Sequence, residues 1–507
     1  MIPKKLMACS SKASSIQPKQ KQYKMSNLLI KNIRIARPNQ QGTPIVDIRI
    51  RDGKFETINP SLLPEPGEDI LDGKGRLAFP GLVDAHMHTG IYNPLEVDAV
   101  TESRAAAMGG VTSSLNYMRT GKYYLNKTGP YRTFFPEVLD ISEGRFHVDY
   151  GYHLAPIQYG HIDEIEYLIE HHGVTSFKIF MFYGNYGLHG SSNNQHEFLM
   201  TPEGEIYDYA HFEFIMRGVQ RAILRFPEKR DYISLSMHCE TAEIMRAYTQ
   251  IVQKEGKLSG LSAYSAARPP HSEGLAIFIA SYLANETECP NINLLHLTSK
   301  KAVDAAMMMQ SVFPHINFRR EVTIAHLVLD YDCACGIQAK VNPPIRSRAD
   351  VEYLWEHVLD GHIDWICSDH ACCKAEFKTD AHEKENVWLA KSGFGGTDYL
   401  LSALYTEGVK RGLSLNRIAE LTSWNPAKRY GLFQKGDIAP GYDADLAIVD
   451  DRRSFVVHSE GSPSTQGYSV FEGLELQAPV EVTLLRGNLI YQDGMVIGSP
   501  RGKYLSR

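Results

Sequence analysis

Between residues 81 and 437 the chain repeats one pattern, a short apolar run of strand length followed by a longer stretch with helical spacing. The runs include Val148-Asp-Tyr-Gly-Tyr-His-Leu-Ala, Ser176-Phe-Lys-Ile-Phe-Met, Ile233-Ser-Leu-Ser-Met-His, Ile292-Asn-Leu-Leu-His-Leu, Thr323-Ile-Ala-His-Leu and Ile363-Asp-Trp-Ile-Cys-Ser-Asp. Residues 101–108, 162–171 and 242–254 are among the helix-like intervals. Strands joined through helices run parallel and are covered on both faces. Repeated this often, the pattern predicts an α/β protein with a (β/α)8 TIM-like barrel. A doubly wound open sheet is the alternative, but the Gly-rich fingerprint of a dinucleotide site is missing.

The two ends of the chain have a different texture. Leu28-Leu-Ile-Lys-Asn-Ile-Arg-Ile, Ile45-Val-Asp-Ile-Arg-Ile and the turn Arg51-Asp-Gly-Lys read as strands and hairpins, as do Asp445-Leu-Ala-Ile-Val-Asp, Val480-Glu-Val-Thr-Leu-Leu and Leu489-Ile-Tyr-Gln-Asp-Gly. Residues 27–80 and 438–507 are therefore expected to build one small β-sandwich domain, with the barrel at 81–437 inserted between them. Residues 1–24 hold six lysines and no acidic residue. The segment 1–26 reads as a disordered extension lacking the apolar stretch of a signal peptide, and Met25 is an alternative start.

Composition narrows the function classes. A net charge of −6 gives no broad basic surface, so nucleic acid is not an expected partner. No apolar run reaches membrane-spanning length, so a membrane is not expected either. Eight cysteines in 507 residues do not form a disulfide framework, and neither Cys333/Cys335 nor Cys372/Cys373 has the spacing of a structural zinc site. Reduced thiols in a cytoplasmic compartment are expected, with Cys372 and Cys373 close enough to a candidate ligand to line its pocket.

Asp84, His86 and His88 lie in Phe79-Pro-Gly-Leu-Val-Asp-Ala-His-Met-His. Side chains alternate along a strand, so the two imidazoles point to one side and can share a divalent metal. Alone, the pair fits two hydrogen-bonded core histidines equally well. Four further strand-like runs, however, end in Lys178, His238, His296 and Asp369. In a barrel, C-terminal strand ends converge on one mouth. His153, His326 and His362 are read as structural. Lys178 is the exception among the ligands, because an ammonium does not bind a cation. Burial lowers a lysine's pKa and lets the amine add to carbon dioxide as a carbamate. The alternative is a lysine paired with a carboxylate.

These residues carry a resemblance. Asp84-Ala-His-Met-His, Gly109-Gly-Val-Thr, Ser176-Phe-Lys-Ile-Phe-Met-Phe-Tyr, His238-Cys-Glu, His296-Leu-Thr, Ser368-Asp-His and Gly441-Tyr-Asp-Ala-Asp-Leu resemble the amidohydrolase superfamily, and most closely its cyclic amidases, the dihydropyrimidinase and hydantoinase group. The resemblance runs from about residue 27 to 495 in the same order. It implies a homotetrameric, two-zinc enzyme, with manganese or cobalt as substitutes, that opens a dihydropyrimidine, hydantoin or related cyclic ureide through a metal-bridging hydroxide. By that resemblance His86, His88 and Asp369 would hold one metal, His238 and His296 the other, and carboxylated Lys178 would bridge them. Asp369 would move the proton, and Tyr183 would donate to the oxyanion. The rivals are an allantoinase or other cyclic imide hydrolase and, from another class, a non-enzymatic dihydropyrimidinase-related scaffold. Retention of all six ligand positions argues against the scaffold.

The substrate-facing positions depart from the hydantoinase pattern. Dihydroorotases carry an arginine two residues after the second histidine and allantoinases tend to carry asparagine, whereas this chain has Gly90 there, which argues against dihydroorotate. Asn342, in Val341-Asn-Pro-Pro-Ile-Arg, stands where hydantoinases usually have serine. Ser392, before Gly393-Phe-Gly-Gly, stands where they usually have asparagine. Tyr183, Asn342, Ser392 and Gly393 are the expected substrate-binding positions. The loop 184–198, with His189 and His196, is long and could form part of a lid, and 121–140 could cover the mouth or make a subunit contact.

Overall fold

The computed structural model describes residues 27–121, 123–183, 205–379 and 381–507. The extension at 1–26 and the loop 184–198, with its two histidines, lie outside the described residues.

Eight strands follow one another around the barrel: β1 (Leu82–His88), β2 (Val111–Met118), β3 (Asp149–Leu154), β4 (Ser176–Phe180), β5 (Ser234–His238), β6 (Asn291–Leu294), β7 (Asn317–Thr323) and β8 (Trp365–Cys367). Each pairs in parallel with the next. After β8 the strand breaks at Ser368 and Asp369 and resumes as His370–Ala371, which pairs in parallel with Met87 and His88 of β1 and closes the ring. The (β/α)8 expectation is thus met. β1 to β5 are buried along their whole length, as parallel strands between helices and a packed interior must be.

Helices Leu95–Met108, Tyr131–Ser142, Ile165–His172, Tyr209–Arg225, Ala242–Glu255, Lys300–Val312 and Arg348–Leu359 connect successive strands, and Leu400–Lys410 follows the last. Several begin where local chemistry requires. The side chains of Asp208, Ser299 and Ser347 each accept a backbone N–H of the first turn, which otherwise has no partner.

One strand is displaced from its expected position. β7 ends at Thr323, and Ile324–Val328 is a short helix capped by the Thr323 hydroxyl, which accepts from His326 N. The β-branched, apolar composition of 323–327 suits a strand, but the cap and the bonds from His326 to Thr323 Oγ1 (2.7 Å) and Pro343 O (3.1 Å) favour the turn. His326 is structural, as expected.

Strands from both ends of the chain form a second, nine-stranded sheet. Leu77–Pro80 lies between Asn27–Ile35 and Leu446–Val449, and Val480–Leu485 continues the sheet on the other side. Its apolar side chains, among them Ile30, Ile48, Leu446 and Val482, pack into one cluster. Lys435 ties this sheet to the barrel, with its ammonium 2.6 Å from Asp149 at the start of β3 and 2.7 Å from Asp445. The C-terminal segment then runs under the barrel. Gly502 passes so close to β3 that a Cβ there would sit 1.8 Å from Val148 O, which excludes any other residue. No helix among the described residues is long and apolar enough to cross a membrane.

Candidate active site

The six candidate ligands meet at the C-terminal mouth of the barrel. His86 and His88 approach the same carboxylate oxygen, with Nε2 to Asp369 Oδ1 distances of 3.1 and 3.3 Å. Lys178 Nζ lies 3.0 Å from His86 Nε2. The rings of His238 and His296 are 4.3 Å apart between centroids, and His86, His296 and Asp369 offer ligand atoms within 4.8 Å of one another. Two of the six sit on left-handed backbone, His296 (φ 35°) and Asp369 (φ 53°). Such a conformation is costly for a residue with a side chain and concentrates at functional sites.

The protonation states suit a divalent metal. Burial drives the imidazoles of His86 and His296 well below the usual histidine range, so both are neutral donors. Burial likewise lowers Lys178 to about 8 against the opposing pull of Asp369 and Glu321. Among the described residues no carboxylate forms an ion pair with Lys178. Its ammonium instead lies over the rings of Tyr117 (4.0 Å) and Phe180 (4.3 Å), so the alternative of a carboxylate-paired lysine does not hold. His296 Nδ1 is buried without a hydrogen-bond partner. Neutral imidazoles and one carboxylate, beside a buried lysine, form a donor set that fits zinc, manganese or cobalt.

A second layer of carboxylates orients these ligands. Glu321, fully buried on β7, takes His86 Nδ1 at 2.7 Å and also accepts from His296 N (3.2 Å) and Trp365 Nε1 (2.8 Å). Glu240 takes His238 Nε2 at 2.7 Å and is itself held by Arg268, which leaves His238 Nδ1 to face the site. Tyr124 O–H contacts His88 Nδ1 at 3.1 Å. Fixing the outer nitrogen selects the tautomer and the ring orientation. Replacing Glu321 by glutamine is expected to weaken zinc binding by about 10- to 100-fold, as read by chelator competition. Unchanged affinity would remove Glu321 from this role.

Asp84 does not join the cluster. It accepts from Ser368 N (3.1 Å), Ser368 Oγ (2.5 Å) and Thr397 Oγ1 (2.8 Å), clamping the strand break that presents Asp369. The register shift between Asp84 and Met87 separates it from the two histidines.

The pocket above the ligands is lined by Tyr124, Phe180, Phe182, Tyr183, Asn342, Ser392 and Gly393 together with His88, Lys178, His238, His296 and Asp369. Tyr183 ends a 3-10 turn that continues β4 and stacks on Phe180 with ring centroids 4.5 Å apart. The two departures from the hydantoinase pattern touch each other. Ser392 Oγ donates to Asn342 Oδ1 at 3.3 Å, and Tyr264 O–H donates to the same oxygen at 2.5 Å. The serine, the asparagine and the tyrosine thus form one hydrogen-bonded group on this wall of the pocket. Gly393 N donates to Lys340 O (2.9 Å), and its carbonyl accepts from the buried Lys378 ammonium (2.7 Å). Tyr124 brings part of 121–140 to the mouth, whereas Tyr131–Ser142 is the barrel helix after β2. Cys372 and Cys373 are buried thiols that do not line the pocket.

Residues 239–490 match the Amidohydrolase family model. The chain is 28% identical to an allantoinase of Escherichia coli over 487 residues, covering 94% of this chain and 98% of that protein. It is 29% identical to an allantoinase of Enterococcus faecalis over 457 residues, covering 89% and 93%. The solved L-hydantoinase (dihydropyrimidinase) of Arthrobacter aurescens superposes with a TM-score of 0.82 at 26% identity, covering 95% of this chain and all of the other. Just under half of the chain thus matches the amidohydrolase family, and the proteins and structures to which it is similar along its length are allantoinases and hydantoinases.

Proposed function

We propose that the protein is a two-metal hydrolase that opens the ring of a cyclic amide, with a hydantoin or related cyclic ureide as the substrate class. The observation that carries this reading is the convergence of residues from five barrel strands on one buried cluster, with no ion pair between Lys178 and a carboxylate among the described residues. His86, His88 and Asp369 would hold one ion, His238 and His296 the other, and Lys178 would carry a carbamate between them, its amine adding to carbon dioxide with loss of a proton. Bound divalent metals would make a water nucleophilic near neutral pH and polarise the scissile carbonyl.

The chain's own groups do the rest. Asp369 accepts the proton of the attacking water and delivers it to the leaving nitrogen. Tyr183, on the pocket wall, donates its O–H to the oxygen that gains charge. Asn342, Ser392 and the second lone pair of the Gly393 carbonyl read the ring's remaining polar groups. The homotetramer implied by the family resemblance belongs to the same proposal.

Allantoin is itself a hydantoin bearing a ureido group, and the relatives named allantoinases favour it as the second reading. Zinc-loaded, bicarbonate-treated protein should be assayed for ring opening of dihydrouracil, hydantoin, allantoin, dihydroorotate and simple cyclic imides. Turnover of a hydantoin or dihydropyrimidine supports the proposal, and turnover of allantoin alone selects the second reading. Absence of turnover on the whole panel with two metals bound would reject both.

A further inference from the structure

Arg119 is a charged group at the mouth whose chemistry the proposed reaction does not use. It stands one residue beyond the end of β2, at the same end of the barrel as the ligands, and is 1% exposed. Its guanidinium lies 4.8 Å from the ring centroid of Tyr124 and 5.8 Å from that of Tyr183, two residues that line the pocket. Arg119 donates through Nη1 to Thr120 O at 3.1 Å and interacts with the Tyr183 hydroxyl, but among the described residues its Nε and Nη2 have no hydrogen-bond partner. Among the described residues no carboxylate forms an ion pair with it.

Nε and Nη2 form one edge of a guanidinium, the edge that takes both oxygens of a carboxylate at once. The protein uses this edge elsewhere. Arg37 binds Asp437 through Nε (2.9 Å) and Nη2 (2.8 Å). Arg268, as deeply buried as Arg119, binds Glu240 through Nε (2.9 Å) and Nη2 (2.5 Å). A buried positive charge without a counter-ion is costly, and a neutral acceptor would satisfy its N–H groups while leaving the charge uncompensated. A carboxylate carried by a bound molecule would resolve both.

We propose that Arg119 is a substrate-binding residue that holds a carboxylate carried by the ring, so that the preferred substrate is a cyclic amide with an acidic substituent. This rests on the ring-opening function proposed above. The first strand offers no cationic handle, since Gly90 follows its histidines, and the neighbouring β2 supplies one instead.

The test compares matched pairs on zinc-loaded protein: dihydroorotate against dihydrouracil, and hydantoin-5-acetate against 5-ethylhydantoin. The ratio of kcat/KM, acidic over neutral, is expected to favour the acidic member and to fall by about 10- to 100-fold in Arg119→Met. Arg119→Lys, which keeps the charge but loses the two-pronged edge, should fall in between, and it replaces the methionine variant if that fails to fold. A ratio that neither substitution changes, or a wild-type preference for the neutral rings, overturns the proposal.

Calorimetric titration with the same four compounds separates this failure from failure of the hydrolase reading. If no ring is opened, the hydrolase reading falls. Binding of the acidic rings that is weakened by Arg119→Met would still support Arg119 as the anion site, and equal binding by both proteins would remove it.

Discussion

Lys178→Ala is expected to lower kcat by at least about 10³-fold, because a site that loses its bridging group loses several kcal/mol of carbonyl polarisation. The reasoning starts from burial. Lys178 is 1% exposed, has only His86 Nε2 within hydrogen-bonding distance among the described residues, and is ringed by aromatic faces. Burial works against a permanent ammonium there and outweighs the pull of Asp369 and Glu321, whereas a carbamate would turn the same side chain into a source of two anionic oxygens. Zinc per chain, measured by elemental analysis, should fall with activity, and the intact mass of the wild type should include one carbon dioxide that the variant lacks. Near-normal turnover by a metal-replete variant would end the two-metal reading.

Asp369→Asn is the second large effect, an expected fall of about 10² to 10⁴ in kcat, the range for loss of a group that moves the proton. Burial tends to raise the Asp369 carboxyl, but His86, His88 and Lys178 beside it outweigh that and hold it well below the usual carboxylate range. It therefore remains ionised and able to accept a proton across the working pH range. Asparagine keeps the shape and tolerates the left-handed backbone, so the loss should appear in rate rather than in folding. Steady-state kinetics on the preferred ring, alongside a melting curve, checks both. A variant with kcat close to wild type would assign the proton transfer elsewhere.

The barrel and its ligands were legible because both follow from periodicity. Each of His86, Lys178, His238 and Asp369 lies within or just beyond an apolar run, and the C-terminal halves of barrel strands share one mouth. His296 was legible for the same reason although it lies two residues past the end of β6. Glu321 was not. It sits inside β7, and the sequence placed that strand at 323–327, where a β-branched run is in fact a capped turn. Glu240 and Arg268 were hidden because the pair that neutralises them is 28 residues apart and no local pattern announces it. No local pattern in the sequence marks Arg119, and only its burial and an edge unpartnered among the described residues set it apart. The coupling of Asn342 to Ser392 likewise needed coordinates, since each alone reads as an unrelated deviation.

The broken last strand has a consequence for the family's future as well as its chemistry. Residue 369 is both a proposed ligand and the hinge through which one half of the strand pairs with β7 and the other with β1. Its left-handed backbone admits few residue types, chiefly glycine, asparagine and aspartate. Most random replacements there would spoil the joint and be lost with the fold. The few that survive would silence the carboxylate and leave the barrel standing. A lineage can thus exchange catalysis for a purely architectural career in a single step at this position, without passing through an unfolded ancestor.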